Sequence, residues 1–194
     1  MKKNLKIFVV GYLVFLALSV VSCICDVEST AYSIKSFDWN IDKVVSLENH
    51  YKYEQFEDDE LNFNNYAISI YPEEEYYTSN FTLLNKVYAC DEPAPHTNDN
   101  ITNIEIIVNN NFDDNHLAES EVTDLFKVSE PYSLELLTVP NFLSERNIPR
   151  VVHLLLTEAP LESGEYSFTV KITLEGRTLN YYEFTTNSVT ITNN

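Results

Sequence analysis

Glycine is scarce: three residues in 194, at 11, 164 and 176. That scarcity excludes a glycine-rich phosphate cradle and argues against flexible lids built on glycine hinges. Basic residues are few as well, 12 Lys and Arg against 30 acidic residues, for a net charge of −18. Such a chain repels phosphate backbones and anionic lipid surfaces, so nucleic acid is not an expected partner. Tryptophan and methionine occur once each, and cysteine three times. Against these shortages stand 13 Tyr, 11 Phe and a hydrophobic share of 44%, enough to build a packed core and to argue against disorder.

The one long apolar run lies at the start. Lys2, Lys3 and Lys6 precede an apolar stretch from Ile7 to Val21, interrupted by Gly11, Tyr12 and Ser19, and Ser22-Cys23 follows. This is the three-part plan of a secretory signal, and it is short for a membrane span, which needs about 20 apolar residues. Removing 1–22 leaves nine of the 12 basic residues against all 30 acidic ones. The Val-Val-Ser-Cys end at 20–23 resembles the lipobox of bacterial lipoproteins. The resemblance implies cleavage before Cys23, a diacylglycerol on its thiol and an acylated new terminus. At roughly 0.8 kcal/mol per buried methylene, several acyl chains make attachment to the membrane essentially permanent. Ile24, in place of an Asp, is compatible with the outer membrane. Asp26 and Glu28 weakly resemble the acidic tether signals of surface-exposed Bacteroidetes lipoproteins. Both the surface and the periplasmic face stay open.

With Cys23 assigned to lipid, Cys25 and Cys90 are the remaining thiols, and an oxidising compartment favours their pairing. The bridge would close a loop of about 66 residues, worth roughly 4 kcal/mol in the chain-entropy view. A free Cys25 in the tether and a buried Cys90 is the alternative. Two cysteines at 23 and 25, with no matching pair elsewhere, lack the spacing of a zinc site.

From 32 onward the patterns are those of strands. Residues 32–37, 66–71, 81–90 and 101–108 combine β-branched and aromatic residues, and Ile104, Ile106 and Val108 share one face. Pro72 should end the second of these. Residues 151–156 (Val-Val-His-Leu-Leu-Leu) read as a strand covered on both faces. Residues 166–174 alternate strictly, with Tyr166, Phe168, Val170, Ile172 and Leu174 on one side. Glu175-Gly176 should then turn the chain tightly into a partner strand at 177–184, and Val189 and Ile191 suggest one more. Short helical turns are expected at 120–126, with Ser120 as N-cap, and at 140–146, opened by Pro140. The expected fold is an all-β antiparallel β-sandwich, immunoglobulin-like, with one or two short connecting helices. The division is a signal at 1–22, a lipidated tether at 23–31 and a single domain at 32–194.

A wider resemblance covers most of the mature chain. It runs through the lipobox, Tyr-Ser-Ile-Lys-Ser-Phe at 32–37 and Val-Tyr-Ala-Cys-Asp-Glu-Pro-Ala-Pro at 87–95. It continues through Ile-Glu-Ile-Ile-Val at 104–108, Asp-Leu-Phe at 124–126, Thr-Glu-Ala-Pro at 157–160 and the strand at 166–174. This is similar to a family of Bacteroidetes lipoproteins of unknown function. It implies a place in the cell envelope and names no catalytic residue.

Chemistry finds little support in the pattern. There is no Gly-x-Ser-x-Gly, and His50, His96, His116 and His153 show no ligand spacing. His153 reads as a half-buried histidine in an apolar strand. Acidic runs at 54–60, 73–75 and around Asp113 and Asp114 offer carboxylates. Only the Asn-rich stretch 109–115 has the mix of oxygens that calcium takes, and it lacks an EF-hand pattern. No catalytic residue, metal or cofactor is therefore expected. The expectation is a non-enzymatic envelope module binding a glycan, peptide or protein, with Tyr51, Tyr53, Tyr76 and Tyr77 as a candidate aromatic patch. The alternative is a structural subunit of an envelope assembly.

Overall fold

A computed structural model describes residues 31–58, 60–77, 95–129, 134–144 and 151–193. Cys23, Cys25, Cys90, the signal, nearly all of the tether and the strand expected at 81–90 lie outside them. Ser33–Glu75 and Asn98–Asn194 belong to one compact unit. Ala31, Tyr32, Tyr76, Tyr77 and residues 95–97 belong to another. Within that second unit Tyr32 N–H donates to the His96 carbonyl and the Tyr32 and Tyr76 rings lie 5.7 Å apart.

The main unit is all-β and sandwich-like. The described strands are β1 (Ala31–Ser46), β2 (Tyr51–Gln55), β3 (Glu60–Asn62), β4 (Tyr66–Tyr77), β5 (Asn100–Val108) and β6 (Phe126–Ser129). Then follow β7 (Leu136–Thr138), β8 (Val152–Leu156), β9 (Gly164–Tyr166), β10 (Phe168–Glu175), β11 (Tyr181–Thr185) and β12 (Val189–Thr192). A six-stranded sheet has the order β2-β1-β4-β8-β6-β7, and two three-stranded sheets have the orders β11-β10-β5 and β3-β12-β9. β1 with β2, β4 with β8, β6 with β7 and β8, β10 with β5 and β11, and β9 with β12 pair antiparallel, while β3 pairs with β12 in parallel.

One hydrophobic core draws on all three sheets. The alternation read in β5 and β10 becomes cross-strand pairs: Ile104 opposite Ile172, Ile106 opposite Val170, Val108 opposite Phe168. All six are at most 2% exposed. From the six-stranded sheet come Tyr66, Ile68 and Ile70 on β4, Phe126 and Val128 on β6, and Val152, Leu154 and Leu156 on β8. Phe168 stands at the centre of the aromatic packing, its ring 5.2 Å from Phe126, 5.6 Å from Tyr66 and 6.5 Å from Phe112. Leu155 points to the opposite face, where it packs with Val44 and Ala67. β8 is thus covered on both sides, as its unbroken apolar run implies.

Several boundaries differ from the sequence pattern. β10 pairs with β11 in the expected hairpin, Val170 opposite Phe184 and Thr173 opposite Tyr181. Tyr166, however, lies in β9 and pairs with Val189 of β12, because the chain changes sheets at Ser167. The connection is not a two-residue turn: residues 176–180 form it, closed by Leu174 N–H donating to the Asn180 carbonyl. Gly176 is needed here for closeness, since a Cβ would lie 2.6 Å from the Leu179 carbonyl oxygen. Gly176→Ala is expected to cost about 1–3 kcal/mol in a urea titration, as a forced backbone shift does.

β4 runs through Pro72 to Tyr77. Its pairing with β8 covers only Ala67 to Ile70, so Pro72 lies beyond that ladder, where a missing N–H is tolerated. At 120–126 only Thr123–Leu125 is helical, a single 3-10 turn without a side-chain cap. Ser120 Oγ instead donates to the Leu117 carbonyl, and Phe126 opens β6. The cause is tertiary: Val122 N–H donates to the Ile106 carbonyl, and Ile107 bridges Glu121, which holds the segment along β5. The second expected helix is α1 (Val139–Ser144), with Pro140 in its first turn and Val139 and Phe142 buried.

A buried carboxylate closes one end of this unit. Asp99 accepts from Ile34 N–H at 2.7 Å and from Arg177 N–H at 3.0 Å. It ties the start of β1 to the β10–β11 loop.

Candidate functional site

The sequence candidates scatter. In the Asn-rich loop after β5, Asp113 accepts from the backbone N–H groups of Asn115 and His116 and from the His116 ring at 2.9 Å. That ring, with help from the two N–H groups, holds the Asp113 carboxyl below its ordinary range. Asn111 Oδ1 accepts from Ala118 N–H, and Asn110 donates to the Glu165 carbonyl. These side chains brace the loop. Among the described residues no group of three or more His, Cys, Asp and Glu could hold a metal ion. No helix among them is long and apolar enough to cross a membrane.

The four tyrosines do not make the expected patch. Tyr51 and Tyr53 on β2 are half-buried against Val44, Ala67 and Leu155. Tyr76 and Tyr77 belong to the other unit, where Tyr76 is 52% exposed.

What the sequence pattern did not reveal is a polar row across the outer face of the six-stranded sheet. Ser69 on β4 lies opposite His153 on β8, and His153 lies opposite Ser129 on β6. Asp42 on β1 completes the row. Asp42, Ser69 and Ser129 are all at most 4% exposed. Ser69 Oγ donates to Asp42 Oδ2 and lies 2.7 Å from His153 Nδ1. Tyr71 O–H donates to the same Asp42 oxygen at 3.4 Å. A serine has one proton to give, and Asp42 receives it, so Nδ1 of His153 carries its own proton and donates to Ser69. The ring is neutral: burial pushes His153 down to about 4, with Asp42 opposing the shift.

Tyr53 closes the row from above. Its ring stacks on His153 at 3.6 Å with 3° between the planes. β1 and β4 separate β2 from β8 in the sheet, a lateral distance of about 14 Å at 4.8 Å per strand. Contact therefore requires the β1–β2 ribbon to curl back over the outer face. The Tyr53 hydroxyl is buried beside Ser129 without a partner in hydrogen-bond geometry among the described residues, and burial pushes it up to about 12.

Asp, Ser and His in one row invite comparison with a hydrolytic triad, but the wiring differs. In a triad the histidine sits between acid and nucleophile, orienting on one and deprotonating the other. Here the serine sits between acid and histidine, gives its proton to the acid, and is fully buried. The arrangement is a chain of hydrogen bonds from His153 through Ser69 to Asp42, with the Tyr53 ring stacked on the imidazole. Its members are far apart in sequence, at 42, 69, 129 and 153. No spacing rule could have joined them without the strand order.

The outer face of β5-β10-β11 is the contrasting surface. Tyr181 is 51% exposed, and its hydroxyl donates to Glu183 two residues along the same strand. That bond pushes Tyr181 up to about 12. Lys171 pairs with Glu105 at 3.2 Å across the β10–β5 ladder. Thr169 Oγ1 bonds Thr185 Oγ1 at 2.9 Å and Asn109 Oδ1 at 3.2 Å. The result is an aromatic ring pinned above a lattice of oriented hydroxyl, carboxylate and amide groups. Tyr181 was recoverable in principle: of the adjacent pair Tyr181 and Tyr182, one must face out once Phe184 faces in. No family model matches the chain, and neither a curated protein nor a solved structure does.

Proposed function

We propose that this is a non-enzymatic, lipid-anchored binding module of the cell envelope. It is held at the outer membrane through Cys23 and takes a glycan, peptide or protein on the outer face of β5-β10-β11. The observation that carries the reading is Tyr181: half-exposed, pinned by Glu183 and surrounded by ordered polar groups. An exposed ring held in one orientation loses little entropy on stacking, and the neighbouring groups supply directional hydrogen bonds. The acidic surface favours a neutral or basic partner at the contact.

Two measurements test this. Intact mass of the mature protein from its host should show a chain beginning at an acylated Cys23; an unmodified terminus would overturn the anchor. Titration calorimetry against neutral glycans and envelope peptides should find a saturable ligand whose affinity falls at least tenfold in Tyr181→Ala. The melting temperature should move by no more than a degree or two, since so exposed a ring adds little to the core. Turnover of such a ligand, abolished by one side-chain change that leaves the fold intact, would overturn the non-enzymatic reading.

A second reading has its own support. β11 ends its sheet among the described residues, so a partner strand could extend the ladder there. This envelope-subunit reading predicts that a proline at Glu183, in the middle of β11, abolishes partner capture while Tyr181→Ala does not.

A further inference from the structure

We infer that the ligand of the Tyr181 face is an extended peptide segment, basic at alternate residues and apolar between them, that adds to β11 as an antiparallel strand. This rests on the binding reading of that face and narrows the ligand to one class. Register decides which backbone groups of β11 are open. Leu174 N–H donates to the Asn180 carbonyl and Thr186 N–H to the Phe168 carbonyl, so both pairs are of the hydrogen-bonded kind. Bonded and non-bonded pairs alternate along an antiparallel ladder. Val170 with Phe184 and Ile172 with Tyr182 are therefore the bonded pairs between them. The N–H and C=O groups of Tyr181, Glu183 and Thr185 point away from β10, to the side where β11 ends its sheet among the described residues. Their side chains are the exposed ones of the strand. The same three residues thus offer an unfilled ladder and a solvent-facing surface. β11 has neither the proline nor the lysine that blunts an edge.

Charge selects the occupant. The three strands of this sheet carry Glu105, Glu175 and Glu183 against Lys171 alone. Lys171 lies opposite both Glu105 and Glu183 and pairs with Glu105 at 3.2 Å, while Glu183 accepts from the Tyr181 hydroxyl. A residue added opposite Glu183 places its side chain on the same face about 5 Å away, where Lys or Arg meets the carboxylate. One opposite Tyr181 sets a cation against the ring, an attraction that the nearby acids reinforce.

Residues between these positions turn to the inner side. There Trp39 stacks on Phe184 at 5.0 Å and Phe37 meets Tyr182 at 5.5 Å, and Trp39 and Tyr182 are only partly buried. Apolar side chains on the added strand continue that packing. In strand addition the main-chain bonds give affinity and the alternating side chains give specificity. A second copy of this chain fits worse, because β11 against β11 about a two-fold at Glu183 sets like charges face to face.

The test titrates the mature protein with a peptide of alternating Lys and Val, and with the same composition arranged in two blocks. The alternating peptide should bind saturably and protect the Tyr181, Glu183 and Thr185 amides from exchange, leaving those of Tyr182 and Phe184 unchanged. Methylating the peptide nitrogens at Lys, which face β11 in antiparallel register, should weaken binding about tenfold or more through lost hydrogen bonds. Methylating those at Val should not. These comparisons alter only the peptide, so no protein variant has to fold for them to be read. In the protein, Glu183→Gln should weaken binding about 2- to 5-fold, the range of an opposite-charge cross-strand pair, and reduce its sensitivity to salt. Equal binding of the block peptide, or binding that survives methylation at Lys, would overturn the added strand. A neutral glycan bound in place of the peptide, and lost in Tyr181→Ala, would overturn this ligand class and leave the Tyr181 reading intact. If neither peptide nor glycan binds, both fall. A concentration-dependent dimer in sedimentation, lost in Glu183→Pro, would show that a second copy holds the edge and would overturn the inference as well.

Discussion

Phe168→Ala is expected to cost about 3–5 kcal/mol of unfolding free energy, the range for an aromatic removed from a close-packed interior. In a chain of this size that lowers the melting temperature by roughly 10 °C. Phe168 is fully buried and contacts the rings of Tyr66, Phe112 and Phe126. These neighbours come from β4, from the loop after β5 and from β6, elements that hydrogen-bond to different partners. They cannot all collapse into the vacated space without breaking a ladder, so most of the cavity should persist. Phe168→Leu fills more of it and should cost less than half as much. Thermal and urea unfolding of both variants decide the matter; a loss under 1 kcal/mol for Phe168→Ala would contradict this packing.

The second large effect concerns the covered polar row. Ser69→Ala removes the donor to Asp42 and the acceptor for His153 Nδ1 in a single change. Asp42 is 4% exposed and keeps only the 3.4 Å contact from Tyr71 among its described hydrogen bonds. An unsatisfied buried acceptor costs about 1–3 kcal/mol, more if charged, and a second buried group loses its partner here as well. The expected loss is about 3 kcal/mol. Much of that is the penalty of stranding Asp42, so the double variant Asp42→Ala/Ser69→Ala should be less destabilised than the two single changes added together. A coupling of about 1–3 kcal/mol in that cycle is expected for groups in one network. Strict additivity would mean that the bond between Ser69 and Asp42 carries no weight.

Strand composition and period two, read along the chain, determined the β class, the inward faces of β5 and β10, the β10–β11 hairpin and the double coverage of β8. These properties are local. Side chains alternate because the backbone does, and an apolar run of six with no polar positions has no solvent face to offer. The lipobox resemblance at Ser22-Cys23 is local in the same way. Composition also set the expectation that nucleic acid is not the partner, since charge needs no fold to act. Other features needed the tertiary structure. β2 and β7 are too short and too polar or too leucine-rich to announce themselves as strands; they exist because β1 and β6 offer them a ladder. The 120–126 segment has a helix-like beginning, yet β5 captures its backbone groups. The row of Asp42, Ser69, Ser129 and His153 depends on strand order and register together. A shift of one residue in any of these strands would send its member to the core face and leave the others unsatisfied. Neighbouring residues along the chain determine which face a side chain takes, while residues 27 and 84 positions away determine what it meets there.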